Sequence, residues 1–327
     1  MRAVSGLLVD PIDGAYPGVV RIEVDRIVSV ERTAEPEGEL HILPGFVDLQ
    51  VYDPEPLARS GVTGYLLATR APVDLPDERC IGLHLEGPFL NPEAAGAIPV
   101  DELRPVDLPA LDGWLADGRA RLVTLSPELP HALQAIERVA SAGVVAAIGH
   151  TLANAATTRA AVQAGARFAT HVWNAFAPVR ARSIGAIPEL LLDDRVVLGL
   201  VADGRHLHPR IEELTVRVAG RERIALTSDL VPPPAQTEAG KLLGGDRAGA
   251  ALVARMARFG LPAAAGMASL VPARLLGLQD RGRLVPGFRA DLALLDSGFR
   301  PLETVWNGET VWTVALSSAQ IRGRDSA

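Results

Sequence analysis

The stretch HALQAIERVASAGVVAAIGHT, residues 131–151, decides the fold. Its first part places Leu133, Ile136, Val139 and Ala140 on one face of a helix, and Gly143 stands where a helix ends. Its second part, VVAAIGHT, is apolar almost without a break and stops on Gly149, His150 and Thr151. That is the pattern of a strand covered on both faces. A helix, a glycine, a buried strand and a polar stop make one repeat of an α/β protein with a parallel sheet.

The strand half of this unit recurs eight times: GFVDLQVY (45–52), GVTGYLLAT (61–69), IGLHLEG (81–87), RLVTLSPE (121–128), VVAAIGHT (144–151), FATHVWNA (168–175), VVLGLVADG (196–204) and RIALTSD (223–229). Ala-rich helical segments such as ANAATTRAAVQAGA (153–166) and HPRIEELTVRVAG (208–220) lie between most of them. Eight such units predict an α/β fold, a (β/α)8 TIM-like barrel. Two units are thin. Between Tyr52 and Gly61 there is room for one short turn, and RAPVDLPDERC (70–80) carries two prolines, so the barrel should be partly truncated on that side. The two ends differ from the middle. GVVRIEV (18–24), DRIVSVE (25–31) and the segment 283–318 read as strands and turns, with Asn307-Gly308 a hairpin signal. We expect residues 44–282 to form the catalytic barrel, and 1–43 with 283–327 a small β-sandwich domain built from both termini.

The chain has 327 residues, 48% of them hydrophobic, enough for one large core and a satellite. No apolar run reaches the length of a membrane span, and MRAVSGLLVDP lacks the pattern of a signal peptide, which predicts a cytoplasmic protein without membrane contact. The formal net charge is −7 with no basic cluster, which argues against nucleic acid. A single cysteine, Cys80, excludes an internal disulfide and a cysteine-rich zinc site. Any metal must therefore be held by His, Asp or Glu.

Chemistry on such a barrel sits at the C-terminal ends of the strands. The polar residues there are Asp48 and Gln50, then Glu86, His150, His171, His206 and Asp229. Taken singly, a strand-terminal histidine is an ordinary hydrogen-bonded residue, and a glutamate before Gly-Pro an ordinary turn residue. On a closed barrel they converge on one mouth. One carboxylate and two imidazoles are enough to bind a divalent ion and leave a position for water. A further aspartate would take that water's proton.

The motifs HLEGPFLNP (84–92), GHTLANA (149–155), THVWNAF (170–176), ADGRH (202–206) and LTSD (226–229) occur in this order, after PGFVD (44–48). LVPARLLGLQDRGRLVPGFRADLALLD (270–296) and VWNGETVW (305–312) follow. Together they resemble the N-acetylglucosamine-6-phosphate deacetylase family of the amidohydrolase superfamily, over nearly the whole chain. The resemblance implies Glu86, His150 and His171 as metal ligands and Asp229 as general base, then acid. It implies His206, Asn174 and Ala175 as substrate contacts. Many amidohydrolases carry His-x-His on the first strand, where this chain has Gln50 and Tyr52, so one metal is expected rather than two. Gln50 is read as a hydrogen-bonding residue that orients the substrate site. The ion expected is zinc, with iron, cobalt and manganese as alternatives. The partner expected is a small amino-sugar phosphate, and the assembly a homodimer, because the family's phosphate-binding arginine reaches into the neighbouring subunit. Arg180 and Arg182 in PVRARSIGAI (178–187) are the residues that could supply it.

The chain departs from the family's pattern in its recognition shell. Ile98 stands where a histidine is usual. VYDPEPLARSG (51–61) replaces a glycine-rich loop. The segment 231–249 is short, with Gly245 in the place of a serine. The activity these residues imply is release of acetate from N-acetylglucosamine 6-phosphate. The alternatives are a related hydrolase with another N-acyl substrate and a catalytically silent binding protein. Retention of Glu86, His150, His171 and Asp229 together speaks against silence.

Overall fold

The structure is a computed structural model that describes residues 1–36, 39–237 and 240–314. The parts of 283–327 and of 231–249 that fall at 315–327 and 238–239 lie outside the described residues.

Eight strands form the barrel: β5 (Phe46–Val51), β6 (Val62–Thr69), β7 (Cys80–Glu86), β8 (Ala120–Leu125), β9 (Val145–Ile148), β10 (Ala166–Ala169), β11 (Val197–Leu200) and β12 (Ile224–Leu226). Each pairs in parallel with the next. The ring closes through a few bonds instead of a full ladder. Val51 bridges Leu230 in parallel, and the Tyr52 and Asp53 amides donate to the Leu230 carbonyl at 2.7 and 3.0 Å. Asp48 Oδ1 accepts from the Ser228 amide at 3.1 Å.

The thin side is where the sequence places it. After β5 there is one 3-10 turn, Ala58–Ser60, and after β6 no helix before Cys80. Beyond β7, helices return: α1 (Leu108–Ala116), α2 (Ala132–Ser141), α3 (Ala155–Gln163), α4 (Ile187–Leu192) and α5 (Pro209–Ala219), then α6 (Ala250–Met256), α7 (Leu261–Ala268) and α8 (Leu270–Leu275) after β12. In α2 the buried stripe is Ala132, Ala135, Ile136 and Val139. Leu133 is exposed and Ala140 half-buried, so two of the four expected positions are displaced. The small alanines let the helix lie close against β9. Gly143 ends the unit at φ 73°, as expected.

Successive side chains on one face of a strand are two residues apart, so the barrel interior can be read in layers. Leu66, Leu122 and Phe168 form an apolar cluster with Val271 of α8 and Leu276 just after it. Two residues on, Thr124 and Thr170 bond each other at 2.7 Å, and Thr124 bonds His84 Nε2 at 2.7 Å. His84 Nδ1 donates to the Leu49 carbonyl at 2.9 Å, and burial pushes this imidazole down to about 4. Two residues beyond His84 stands Glu86. The interior thus passes from apolar, to neutral polar, to charged.

The second sheet has seven strands in the order β15-β14-β13-β4-β1-β2-β3. They are β1 (Arg2–Asp10), β2 (Gly14–Glu23), β3 (Arg26–Arg32), β4 (His41–Pro44), β13 (Leu292–Leu295), β14 (Pro301–Trp306) and β15 (Glu309–Thr313). Both termini contribute, around a shared core of Leu8, Val20, Ile27, Ile42, Leu292 and Val305. Asn307 and Gly308, at φ 54° and 83°, make the expected hairpin turn. β1 and β4 are strands that the sequence reading did not name. Gly45 joins β4 to β5, and a Cβ there would lie 2.2 Å from Thr63 Oγ1, so the two sheets meet at a position only glycine fits. No helix of the described residues is long and apolar enough to cross a membrane.

Burial raises Asp48 from 3.8 to about 6, against hydrogen bonds from Ser228 and Gln50. A carboxyl raised on folding favours the folded state fully below pH 3.8 and loses that contribution as pH rises through 6. Asp48→Asn keeps an acceptor for both amides without the charge. Its stability relative to wild type should therefore grow by about 1–2 kcal/mol between pH 5 and pH 8. Urea unfolding of both proteins at the two pH values checks this, and a gap independent of pH would contradict it.

Candidate metal centre

Glu86 ends β7, while His150 and His171 each follow a strand by two residues, after β9 and β10. The sequence reading had His171 inside its strand, but β10 stops at Ala169. The backbone turns sharply at these ends. His150, His171, Trp173, Ala175 and Asp229 all have positive φ (49°, 31°, 84°, 58° and 50°), a costly conformation that surrounding structure must enforce.

The three side chains converge. Glu86 Oε1 lies 3.2 Å from His150 Nε2 and 2.9 Å from His171 Nε2, and the two nitrogens are 3.0 Å apart. All three residues are buried. His150 Nδ1 donates to the Ala94 carbonyl at 2.9 Å, which in the neutral ring turns the Nε2 lone pair toward the carboxylate. Burial holds His171 below its ordinary value, favouring a neutral ring there too. Lone pairs of two imidazoles and a carboxylate facing one point repel unless a cation lies among them. The spacing suits ligand bonds of about 2.0–2.1 Å, so the residues fit a divalent ion.

Around this triad lies a set of oriented groups. Gln50 Nε2 donates to Glu86 Oε1 at 2.8 Å and to Asp229 Oδ1 at 2.9 Å, tying the two carboxylates together. The Tyr52 hydroxyl donates to Glu86 Oε2. Burial pushes Glu86 up, and with no cation among the three side chains any proton held on Nε2 of His150 or His171 bonds Oε1 and keeps this carboxyl well below the usual range. Asp229 is held well above that range by burial first, then by Glu86, Asp48 and Asp203. His206 Nε2 is 3.8 Å from Asp229 Oδ2, and its Nδ1 donates to Asp203 Oδ2 at 2.8 Å. Burial raises Asp203, yet hydrogen bonds from the His206 side chain and the Arg205 and His206 amides keep it at about 2.

A cavity of about 350 Å³ opens over these groups. Glu86, His150, His171, His206, Asp229, Asn174 and Ala175 line it, so seven of the expected site residues come together there. Gln50 lies beneath it, fully buried, and touches the carboxylates from below. Ile98 is on the wall. Arg180 and Arg182 are exposed on a turn closed by Arg180–Ser183 backbone bonds, outside this cavity within the single chain. Gly245 is explained by space: a Cβ there would fall 2.0 Å from the Ser228 carbonyl oxygen.

Several residues were not found by sequence reasoning. Tyr52 was noted as a non-ligand, with no sign of its bond to Glu86. Asp203 lay inside the quoted ADGRH motif. Arg70 and Lys241, both on the cavity wall, carried no signal. Glu128 accepts from Asn91 Nδ2 (2.8 Å), the Leu152 amide (2.7 Å) and the Thr151 hydroxyl. It ties the loop after Glu86 to the loop after His150. Its place two residues beyond a strand-end Ser126 was the available clue.

The amidohydrolase family model matches residues 76–317. The chain is 34% identical over 269 residues to N-acetylglucosamine-6-phosphate deacetylase of Bos taurus, covering 72% of this chain and 65% of that protein. It is 34% identical over 257 residues to N-acetylgalactosamine-6-phosphate deacetylase of Escherichia coli O157:H7, covering 71% and 68%. The chain therefore spans about two thirds of the length of these relatives. Among solved structures, N-acetylglucosamine-6-phosphate deacetylase of Thermotoga maritima superposes with a TM-score of 0.86 at 28% identity, over 96% of this chain and 100% of that one. A mutant of the Mycobacterium smegmatis enzyme in complex with N-acetyl-D-glucosamine-6-phosphate gives 0.87 at 27% identity, over 95% and 99%.

If Glu128 sets the spacing of the ligand loops, Glu128→Ala should weaken metal binding roughly tenfold to a hundredfold with all three ligands intact. Competition with a chromogenic chelator measures it. Unchanged affinity would show that the loops hold their positions without Glu128.

Proposed function

This chain belongs to the amidohydrolase family, in its N-acetylglucosamine-6-phosphate deacetylase branch, and from that premise we propose that it hydrolyses the acetamide of N-acetylglucosamine 6-phosphate, releasing acetate and glucosamine 6-phosphate. The observation that carries the reading is the meeting of Glu86, His150 and His171 within 3.2 Å of one another, with Asp229 coupled to Glu86 through Gln50. Glu86 Oε1 and the Nε2 atoms of His150 and His171 would hold one ion. We propose zinc, whose preference for nitrogen and oxygen ligands this set suits, with iron, cobalt and manganese as alternatives.

Such an ion supplies a water acidified to a pKa of about 7 and a positive charge for the developing oxyanion. The other roles fall to side chains. Asp229 accepts the attacking water's proton and returns it to the departing nitrogen, so one C–O bond forms, the C–N bond breaks and no net proton is consumed at the aspartate. Gln50 holds Oδ1 of Asp229, leaving Oδ2 on the side of His206. Asp203 accepts from the Nδ1–H of His206, so that Nε2, when it carries the ring's second proton, donates to the substrate carbonyl. Asn174 and Ala175 would contact the sugar. Residues 44–282 would carry this chemistry, with 1–43 and 283–327 as the satellite. A homodimer follows only if Arg180 or Arg182 enters a second copy's cavity. A cytoplasmic location suits a substrate whose phosphate charge keeps it from crossing a bilayer.

Asp229→Asn should lower kcat by roughly a hundredfold to ten-thousandfold while about one metal per chain remains bound. Chelation should abolish acetate release from the wild type, and the divalent ion should restore it. Metal analysis and acetate assay on the same preparations test both. Substantial turnover in the variant would remove Asp229 from the role of base.

A further inference from the structure

Two cations line the cavity that holds Glu86 and Asp229: Arg70, just beyond β6, and Lys241, on the segment after β12. Lys241 is the only lysine among the chain's 32 basic side chains. Among the described residues, no acidic group lines the cavity except Glu86 and Asp229. The nearby wall is apolar, made by Ile98, Val231, Leu242 and Leu243. Poor screening beside such a wall strengthens any charge contact made there.

Arg70 is flanked on one side by charge and on another by an aromatic ring. Its Nε lies 2.9 Å from Glu102 Oε2 as an ion pair without hydrogen-bond geometry, and its guanidinium carbon is 5.9 Å from the centre of the Tyr52 ring. Its two terminal nitrogens make no hydrogen bond among the described residues. Lys241 is placed by its backbone, which exchanges bonds with Thr237: the Lys241 amide donates to Oγ1 at 3.1 Å and the Lys241 carbonyl accepts from the Thr237 amide at 2.9 Å. Its ammonium has no ion pair among the described residues. A guanidinium fork and a free ammonium over one cavity match the oxygens of a dianion. A carboxylate would satisfy one of them, and a phosphate monoester satisfies both.

We propose that Arg70 and Lys241 form a phosphate subsite within their own chain's cavity, where position 98 offers only the apolar Ile98 and without an arginine from a partner. The inference deepens the hydrolytic reading and rests on it for the reacting end of the substrate, but anion binding itself needs no turnover.

The test uses the full chain with its metal, as wild type and as Arg70→Met, Lys241→Met, Lys241→Arg, Arg180→Met and Arg182→Met. Calorimetry measures binding of glucosamine 6-phosphate and of glucosamine. Kinetics compare N-acetylglucosamine 6-phosphate with N-acetylglucosamine. Arg70→Met and Lys241→Met should each weaken the phosphorylated ligand and raise its KM roughly tenfold to a hundredfold, with kcat and the unphosphorylated ligand changed less than about twofold. Lys241→Arg should recover most of the affinity. Equal loss for both sugars, or no loss, overturns the subsite. Loss confined to Arg180→Met or Arg182→Met overturns it too, and gives the phosphate to the exposed turn. If the wild type binds glucosamine 6-phosphate through Arg70 and Lys241 but releases no acetate, the hydrolytic reading fails and the subsite stands.

Discussion

A carboxylate buried at the end of β7 organises everything around it. Glu86 is almost fully out of water, and an ionised carboxylate in that position is tolerated only when its oxygens are satisfied. Oε1 meets His150, His171 and Gln50, and Oε2 meets Tyr52. Those four partners come from three further strand ends, so the barrel's register, its closure and its layered interior all serve to bring them to one atom pair. Moving β5 by one residue would exchange Gln50 and Tyr52 for Leu49 and Val51 and leave the carboxylate unpaired.

The same region concentrates negative charge. Asp48, Glu86, Asp203 and Asp229 are gathered in one mouth, and the shifts run in opposite directions. Asp203 and Glu86 are held down by histidines and amides, whereas Asp229 and Asp48 are pushed up by burial, with Asp229 raised further by the other three. Such divergence separates acids by task. On the proposed reading, Asp203 and Glu86 would stay ionised as acceptors and Asp229 would exchange the proton. A divalent cation among Glu86, His150 and His171 would relieve the repulsion on Asp229 and bring it toward the ionised form a base requires.

The fold was legible because each barrel strand carries its own signal, a run of apolar residues stopped by polar ones. The eight runs overlap β5 to β12 in order. Convergence of Glu86, His150 and His171 then followed from closure and from the motifs that carry them. What stayed hidden has physical causes. β1 alternates half-exposed and buried positions at the edge of composition, with no turn residue before it to mark a start. The Tyr52 and Glu128 bonds join elements far apart in sequence, and no local pattern encodes them. Leu133 misled because helical spacing gives a stripe but not its angle to the sheet, which the alanines of α2 decide by close approach.

Shortening of the recognition loops has a steric consequence as well as a chemical one. With few residues available after β12, the chain must return beside the strand end, and Leu230 bridges Gly245 in parallel while the Gly245 amide donates to the Asp229 carbonyl at 2.7 Å. Gly244 and Gly245 press so closely that a Cβ on either would fall within 2.6 Å of a backbone oxygen of Ser228 or Asp229. A side chain at position 245 is therefore excluded by the same close approach that bonds the Asp229 carbonyl, where the backbone has positive φ. The shortened segment supports the backbone at Asp229, and it carries Lys241 to the cavity in the same pass.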